Sequence, residues 1–297
     1  MAQSNLVNKY CYIFNVSKRK VLSALTEARS MTSIAREHNL SVNTVQRILE
    51  SCSAKFYDDF DRLPDHLAFD EFKGISKKFH FICLDGDSHQ VVQILRTRFK
   101  PAILHYFYKF SPQARARVET VTMYLNCYYH PLVARELVPN AQIVIYRFHM
   151  VQMLTRSFNS LRVQTMKQFQ KHSREYKLLK STWKLYLIKY DKLNKTKSYY
   201  DWHFKDYLTQ KHVFLDGLDC DKPLENTYWV MQEFMSAIET KDVKRVIHLL
   251  HSKHTLGKQM HQPLLTFKHN YTGVLNGISS NYSNRCLEGG VTVRSSK

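Results

Sequence analysis

No stretch of the 297-residue sequence is long and apolar enough to cross a bilayer. The amino terminus, M-A-Q-S-N-L-V-N-K-Y-C-Y-I-F, lacks the basic, then apolar, then small-residue order of a secretion signal, which argues for the cytoplasm. Six cysteines are scattered at positions 11, 52, 83, 127, 220 and 286 without a C-x-x-C pair. That distribution disfavours a disulfide framework or a zinc ribbon and fits reduced thiols. Acidic residues are scarce: 25 Asp and Glu stand against 44 Lys and Arg, a net charge of +19. A polyanion is the natural partner of such a chain.

The positive charge is concentrated. Residues 151–214 carry 14 basic and 4 acidic residues, so more than half of the excess lies in about a fifth of the chain. There Lys177, Lys180 and Lys184 alternate with Tyr176, Trp183, Tyr186 and Tyr190, and apolar positions recur at three or four, which predicts basic amphipathic helices. A solvated helical face or a membrane-surface helix would share that pattern. The density of cations favours a nucleic-acid backbone, where each Lys or Arg contact to phosphate releases a counterion.

Residues 31–50, M-T-S-I-A-R-E-H-N-L-S-V-N-T-V-Q-R-I-L-E, have a helix-turn-helix pattern. Ile34 and the small Ala35 would pack a first helix and Leu40 the turn. Val45, Ile48 and Leu49 would anchor a second helix capped by Ser41. Asn43, Thr44, Gln46 and Arg47 would then face outward, suited to base edges and phosphates in a major groove of double-stranded DNA. A plain helical hairpin packed on another element is the bland alternative.

Beyond residue 60 the pattern becomes mixed. L-A-F-D-E-F (67–72), F-H-F-I-C-L (79–84) and V-V-Q-I-L (91–95) read as three strands in hairpin connection, with a D-G-D-S turn at 85–88. A helix follows at 102–110, a strand at 118–125, a helix at 129–138, a strand at 142–146 and a helix beginning near His149. Three strands, a helix, then alternating strand and helix is the order of a ribonuclease H-like α/β domain. In that setting the acid of the first strand, Asp70, acquires a purpose as a ligand for a divalent cation. The expected organisation is an all-α helix-turn-helix region at 1–60 and the first part of the α/β domain at 61–150. A basic helical insertion at 151–270 and a final segment at 271–297 would follow.

Four landmarks in order, T-S-I-A-R-E-H-N-L-S-V-N-T-V-Q-R-I-L, L-P-D-H-L-A-F-D-E-F, P-N-A-Q-I-V-I-Y-R-F-H-M-V-Q and N-Y-S-N-R-C-L-E-G, resemble bacterial insertion-sequence transposases of the ISL3 group. The resemblance spans nearly the whole chain. It implies a ribonuclease H-like domain with an Asp-Asp-Glu triad, two divalent ions (Mg2+ or Mn2+, not zinc) and a helical insertion before the last acid. It also implies binding, cutting and joining of transposon-end DNA, commonly as a dimer or larger assembly.

Carried over residue by residue, the resemblance makes Asp70 the first catalytic Asp and Glu288 the final Glu, both metal ligands. The second Asp is replaced by Tyr124. A further family Asp, in the motif D-x-F-H, is replaced by Tyr146, followed by Arg147, Phe148 and His149; Arg147 is a candidate DNA contact and His149 stands beside the implied centre. Two-metal phosphoryl transfer needs carboxylates to hold the ions. A phenol, with a pKa of about 10, stays neutral and its ring fills the ion's space. Family members also carry a zinc module ahead of the helix-turn-helix and a basic helix after the Glu. The sequence starts after the first and has G-G-V-T-V-R-S-S-K in place of the second, so a truncated, degenerate copy with impaired catalysis, or a DNA-binding remnant without catalysis, is the expectation. Asp85 and Asp87 are first of all turn residues rather than substitute ligands. A covalent Tyr–DNA mechanism would want a His-x-His pair, which is missing. His248, His251 and His254, without nearby Cys or acids, read as surface histidines.

Overall fold

The computed structural model describes residues 13–27, 29–53, 60–74, 78–125 and 136–280. The chain divides into two units, one ending at Phe60 and the other beginning at Asp61.

The first unit is helical: α1 (Asn15–Leu25), α2 (Met31–Glu37) and α3 (Val42–Ser53). Val21 and Ala24 of α1, Ile34 and Ala35 of α2, and Val45 and Ile48 of α3 close one buried cluster, with Leu40 of the turn packed against it. Two serines start the helices. The Ser30 hydroxyl accepts from the Ser33 N–H at 3.2 Å and the Ser41 hydroxyl from the Thr44 N–H at 3.1 Å, each satisfying a donor that the first turn leaves without a partner. Asn39 turns the chain between α2 and α3 at φ 52°, a left-handed conformation that Asn tolerates better than most residues. Leu49, expected to anchor α3, is instead 42% exposed, because α1 and α2 press on the Val45 and Ile48 side of the helix and leave Leu49 beyond its shoulder. Helix α1 had no forecast from the sequence; its two buried residues make too thin a stripe to stand out.

The second unit is built on a mixed five-stranded sheet in the order β3-β2-β1-β4-β5. Strands β1 (His66–Lys73), β2 (Phe79–Asp85) and β3 (Val91–Leu95) run antiparallel; β4 (Thr120–Met123) and β5 (Gln142–Ile145) run parallel to β1. Helices α4 (Lys100–Phe107) and α5 (Pro112–Ala116) connect β3 to β4. Most of the helix expected at 129–138 lies outside the described residues. Strand alternation sends Phe69 and its partners to one face, where Phe69, Phe81 and Phe107 meet at centroid distances of 5.1 to 6.4 Å.

After β5 come α6 (Arg147–Met166), α7 (Arg174–Ser181) and two 3-10 turns at Trp183–Leu187 and Tyr190–Lys192. A hairpin of β6 (Tyr199–Asp201) and β7 (Asp206–Leu208) follows, then α8 (Gln210–Leu218), α9 (Lys222–Glu239), α10 (Val243–His251), α11 (Lys258–His269) and α12 (Tyr271–Ser279). The expected run of basic amphipathic helices is therefore broken after Ser181. Tyr186 and Leu193 sit in the core on separate short turns, so apolar spacing of three and four here marks independent anchors rather than one helical stripe. Buried Arg162 ties α6 to α7, donating to the Leu179 carbonyl and, at 2.8 and 3.0 Å, to the Asn159 side chain.

Helix α12 lies on β5 through two glycines four residues apart. A Cβ at Gly277 would stand 1.9 Å from the Ile145 carbonyl oxygen, and one at Gly273 3.1 Å from the Ile145 side chain. Asn276 donates to the Ile143 carbonyl at 3.0 Å, and Arg147 to the Ser280 carbonyl at 3.3 Å. The carboxyl end of β5 and the start of α6 are thereby held by α12.

Candidate active site at the strand ends

Parallel pairing stops at Phe69–Met123 between β1 and β4 and at Met123–Ile145 between β4 and β5. One residue further along each strand stand Asp70, Tyr124 and Tyr146. The register thus brings these three to one row across β1, β4 and β5, at the point where β4 and β5 end and β1 runs on, with Asp70 on the face opposite Phe69. The Tyr146 N–H still donates to the Met123 carbonyl at 3.4 Å, so the row is continuous with the sheet. An acid is tolerated at position 70 because β1 runs past the end of β4: its β2 side stays paired, at Ile82, while its β4 side opens.

Asp70 and Glu71 point to opposite faces. Glu71 pairs with Arg98, whose guanidinium lies 4.3 Å from the Phe79 ring centroid. Asp70 accepts the Glu71 backbone N–H at 2.7 Å. Burial raises the Asp70 pKa, the Glu71 N–H pulls it back in part, and the negative charge of Glu71 raises it again.

Tyr146 is buried and Tyr124 half-buried. His149, on the first turn of α6, packs edge-on against Tyr124 with centroids 4.1 Å apart and against Tyr146 at 5.6 Å. Among the described residues neither imidazole nitrogen has a hydrogen-bond partner of ordinary geometry. Burial drives the His149 pKa down to about 4; the Gln152 side chain offsets this in part, and the positive Arg156 pushes it further down. The folded state therefore holds a neutral ring that the unfolded chain would protonate. The stability that this contributes is complete above about pH 6.5 and lost as pH falls toward 4. Thermal melts from pH 7 to 4 should show wild type losing stability over that window more steeply than His149→Phe; parallel profiles would refute the assignment.

A pair of divalent cations makes demands that this row does not meet. Hard cations want several oxygen ligands, and paired sites want bridging carboxylates. Among the described residues Asp70 is the carboxylate of this row, the other two members are phenols, and no group of three His, Cys, Asp or Glu comes together anywhere. The described residues do not fit the pair. Glu288 lies outside the described residues. Asp85 and Asp87 cannot help, since they sit at the opposite end of β1, where Asp85 accepts from the Asp87 N–H at 2.9 Å and the Ser88 hydroxyl at 2.6 Å.

The profile of the ISL3 family of DDE transposases, described as transposase, matches residues 67–291. The chain belongs to that family. No curated protein matches it. Transposases of this family generally use divalent metal ions.

The other residues singled out from sequence are dispersed. In the first unit Asn43, Gln46 and Arg47 are exposed and Thr44 half-buried on the outer side of α3. Gln46 donates to Glu50 at 2.9 Å, and Arg47 donates to the Thr44 hydroxyl at 3.3 Å. In the second unit Lys180 and Lys184 are exposed and Lys177 half-buried; Lys180 lies 5.3 Å from the Tyr176 ring centroid and Lys184 5.8 Å from that of Trp183. Among the histidines of α10 and its exit, His251 engages the Ile247 carbonyl and His254 that of Leu249, so they close local structure. No helix among the described residues is long and apolar enough to cross a membrane. The β6–β7 hairpin, absent from the sequence expectations, carries five aromatics in nine residues, Y-Y-D-W-H-F-K-D-Y.

Proposed function

We propose that this transposase-family chain has a ribonuclease H-like domain preceded by a helix-turn-helix, and that it binds double-stranded DNA while its metal-dependent strand cleavage is disabled. The observation that carries the reading is the row in which Asp70 is followed, on the next two strands, by Tyr124 and Tyr146. The strand order, with the acid on the central strand between antiparallel β2 and parallel β4 and with β5 parallel beyond β4, supports the fold assignment. Capped α3, with Asn43, Gln46 and Arg47 outward, is of a shape and polarity that suit a major groove. Lys177, Lys180, Lys184 and Arg147 supply cations for phosphate.

Gel-shift titration of a linear duplex tests this. Binding is expected at low salt and should weaken steeply between about 50 and 200 mM, by as much as 1,000-fold if six or more phosphates are contacted. The pair Asn43→Ala with Arg47→Ala should lower affinity roughly tenfold or more. No cleavage is expected with Mg2+ or Mn2+. Failure to bind duplex at low salt would eliminate the DNA reading. Cleavage abolished by Asp70→Ala would eliminate the claim of disabled catalysis.

A further inference from the structure

The β6–β7 hairpin presents two unlike faces. Tyr199 pairs with Leu208, and Leu208 is buried against Leu178 and Val213, which fixes the hairpin to the unit. One residue on, Tyr200 pairs with Tyr207 on the other face. Tyr200 lies 5.3 Å from Tyr207 and 4.9 Å from Trp202, both edge-on, so three rings form one cluster at the hairpin's end. The cluster is open: Trp202 is 83% and Tyr207 70% exposed. Leaving that much aromatic surface in water is unfavourable unless something is to cover it.

Its setting is cationic. The hairpin lies within the most basic stretch of the chain, with Lys197 just before it and Lys205 in its turn. A cavity of about 480 Å³ between the hairpin and the preceding 3-10 turn is lined by Trp183, Lys184, Tyr199 and His203, so aromatic and basic groups continue beyond the hairpin. The two hairpin acids are engaged locally: Asp201 accepts from the His203 N–H at 2.8 Å and Asp206 from the Tyr207 N–H at 2.7 Å.

We infer that the Tyr200–Trp202–Tyr207 cluster is a stacking platform for unpaired bases of single-stranded DNA, with the neighbouring lysines holding its phosphates. This rests on the DNA-binding reading above and adds the form of DNA recognised. In a duplex the base faces are already stacked on one another, so exposed rings gain little from it. An unpaired strand offers both free base faces for the rings and phosphates for the cations. Charge complementarity favours this occupant over an apolar protein surface. An anionic membrane, the other partner that such a patch suits, enters as an arm of the test.

Fluorescence anisotropy of the full chain would be measured with a labelled oligothymidine of about 20 nucleotides and with a duplex of equal length. Trp202→Ala, at an exposed position, should weaken single-strand binding roughly 5- to 100-fold and leave duplex binding within about twofold, whereas Trp202→Phe should restore most of the single-strand affinity. Tyr207→Ala should act in the same direction. Unchanged single-strand binding, or equal loss on both probes, would overturn the platform while leaving duplex recognition intact. So would Trp202-dependent sedimentation with phosphatidylserine–phosphatidylcholine vesicles in place of single-strand dependence. Wild-type protein that binds neither probe would refute the DNA reading itself.

Discussion

Gly277→Ala is expected to cost on the order of 3 kcal/mol and to lower the melting temperature by about 10 °C, enough to threaten folding at 37 °C. The new methyl carbon would sit 1.9 Å from the Ile145 carbonyl oxygen, with the Ile145 carbonyl carbon and the Met150 methyl both at 2.9 Å. A backbone oxygen inside a sheet cannot swing aside, so α12 must lift. Lifting it strips cover from the buried Val274 and Ile278 and stretches the bond from Asn276 to Ile143. Gly273→Ala is the control, because its methyl would meet only the Ile145 and Ile143 side chains at 3.1 to 3.6 Å and should cost much less. Calorimetry comparing the two variants checks the claim; equal melting temperatures for Gly277→Ala and wild type would refute it. Ile145 immediately precedes Tyr146, so the same displacement would disturb the end of β5 at the candidate site.

How far the site was legible in the sequence depends on which physical signal each part leaves. Strands β1, β2 and β3 declared themselves by alternation and by the D-G-D-S turn, and Asp70 stood out as an acid among apolar neighbours. That Tyr124 and Tyr146 fall in one row with it follows from register, which single-strand patterns do not carry; only the family resemblance pointed to both positions. The neutral His149, packed edge-on against Tyr124, depends on how α6 leaves β5 and has no local signature. Helix α12 reads poorly because glycine disfavours helix by about 1 kcal/mol per residue, yet close approach to β5 requires glycine there. The β6–β7 hairpin leaves no periodic signal because its strands have three residues each, too few for a period to show.

The double substitution Tyr124→Asp with Tyr146→Asp should turn a protein indifferent to Mn2+ into one that it stabilises. Register places position 124 next to Asp70 and position 146 one strand further along the same row, so the change lines up three carboxylates across β1, β4 and β5. Without metal the variant should be less stable than wild type, since it loses the buried Tyr146 ring and crowds like charges where burial already raises the Asp70 pKa. With metal the balance reverses: a cation that binds only the folded state at a hundred times its dissociation constant adds about 2.7 kcal/mol, a rise of about 5 to 10 °C in melting temperature. The readout is the difference between melts with and without Mn2+, for variant and wild type alike. Tyr124→Asp alone is the gentler arm, because Tyr124 is only half-buried and its loss opens a smaller void. A metal-dependent shift in wild type would mean that the tyrosines do not block the site. No shift in a folded double variant would mean that the strand ends are not the metal centre, and the assignment of Asp70 to catalysis would fall with it.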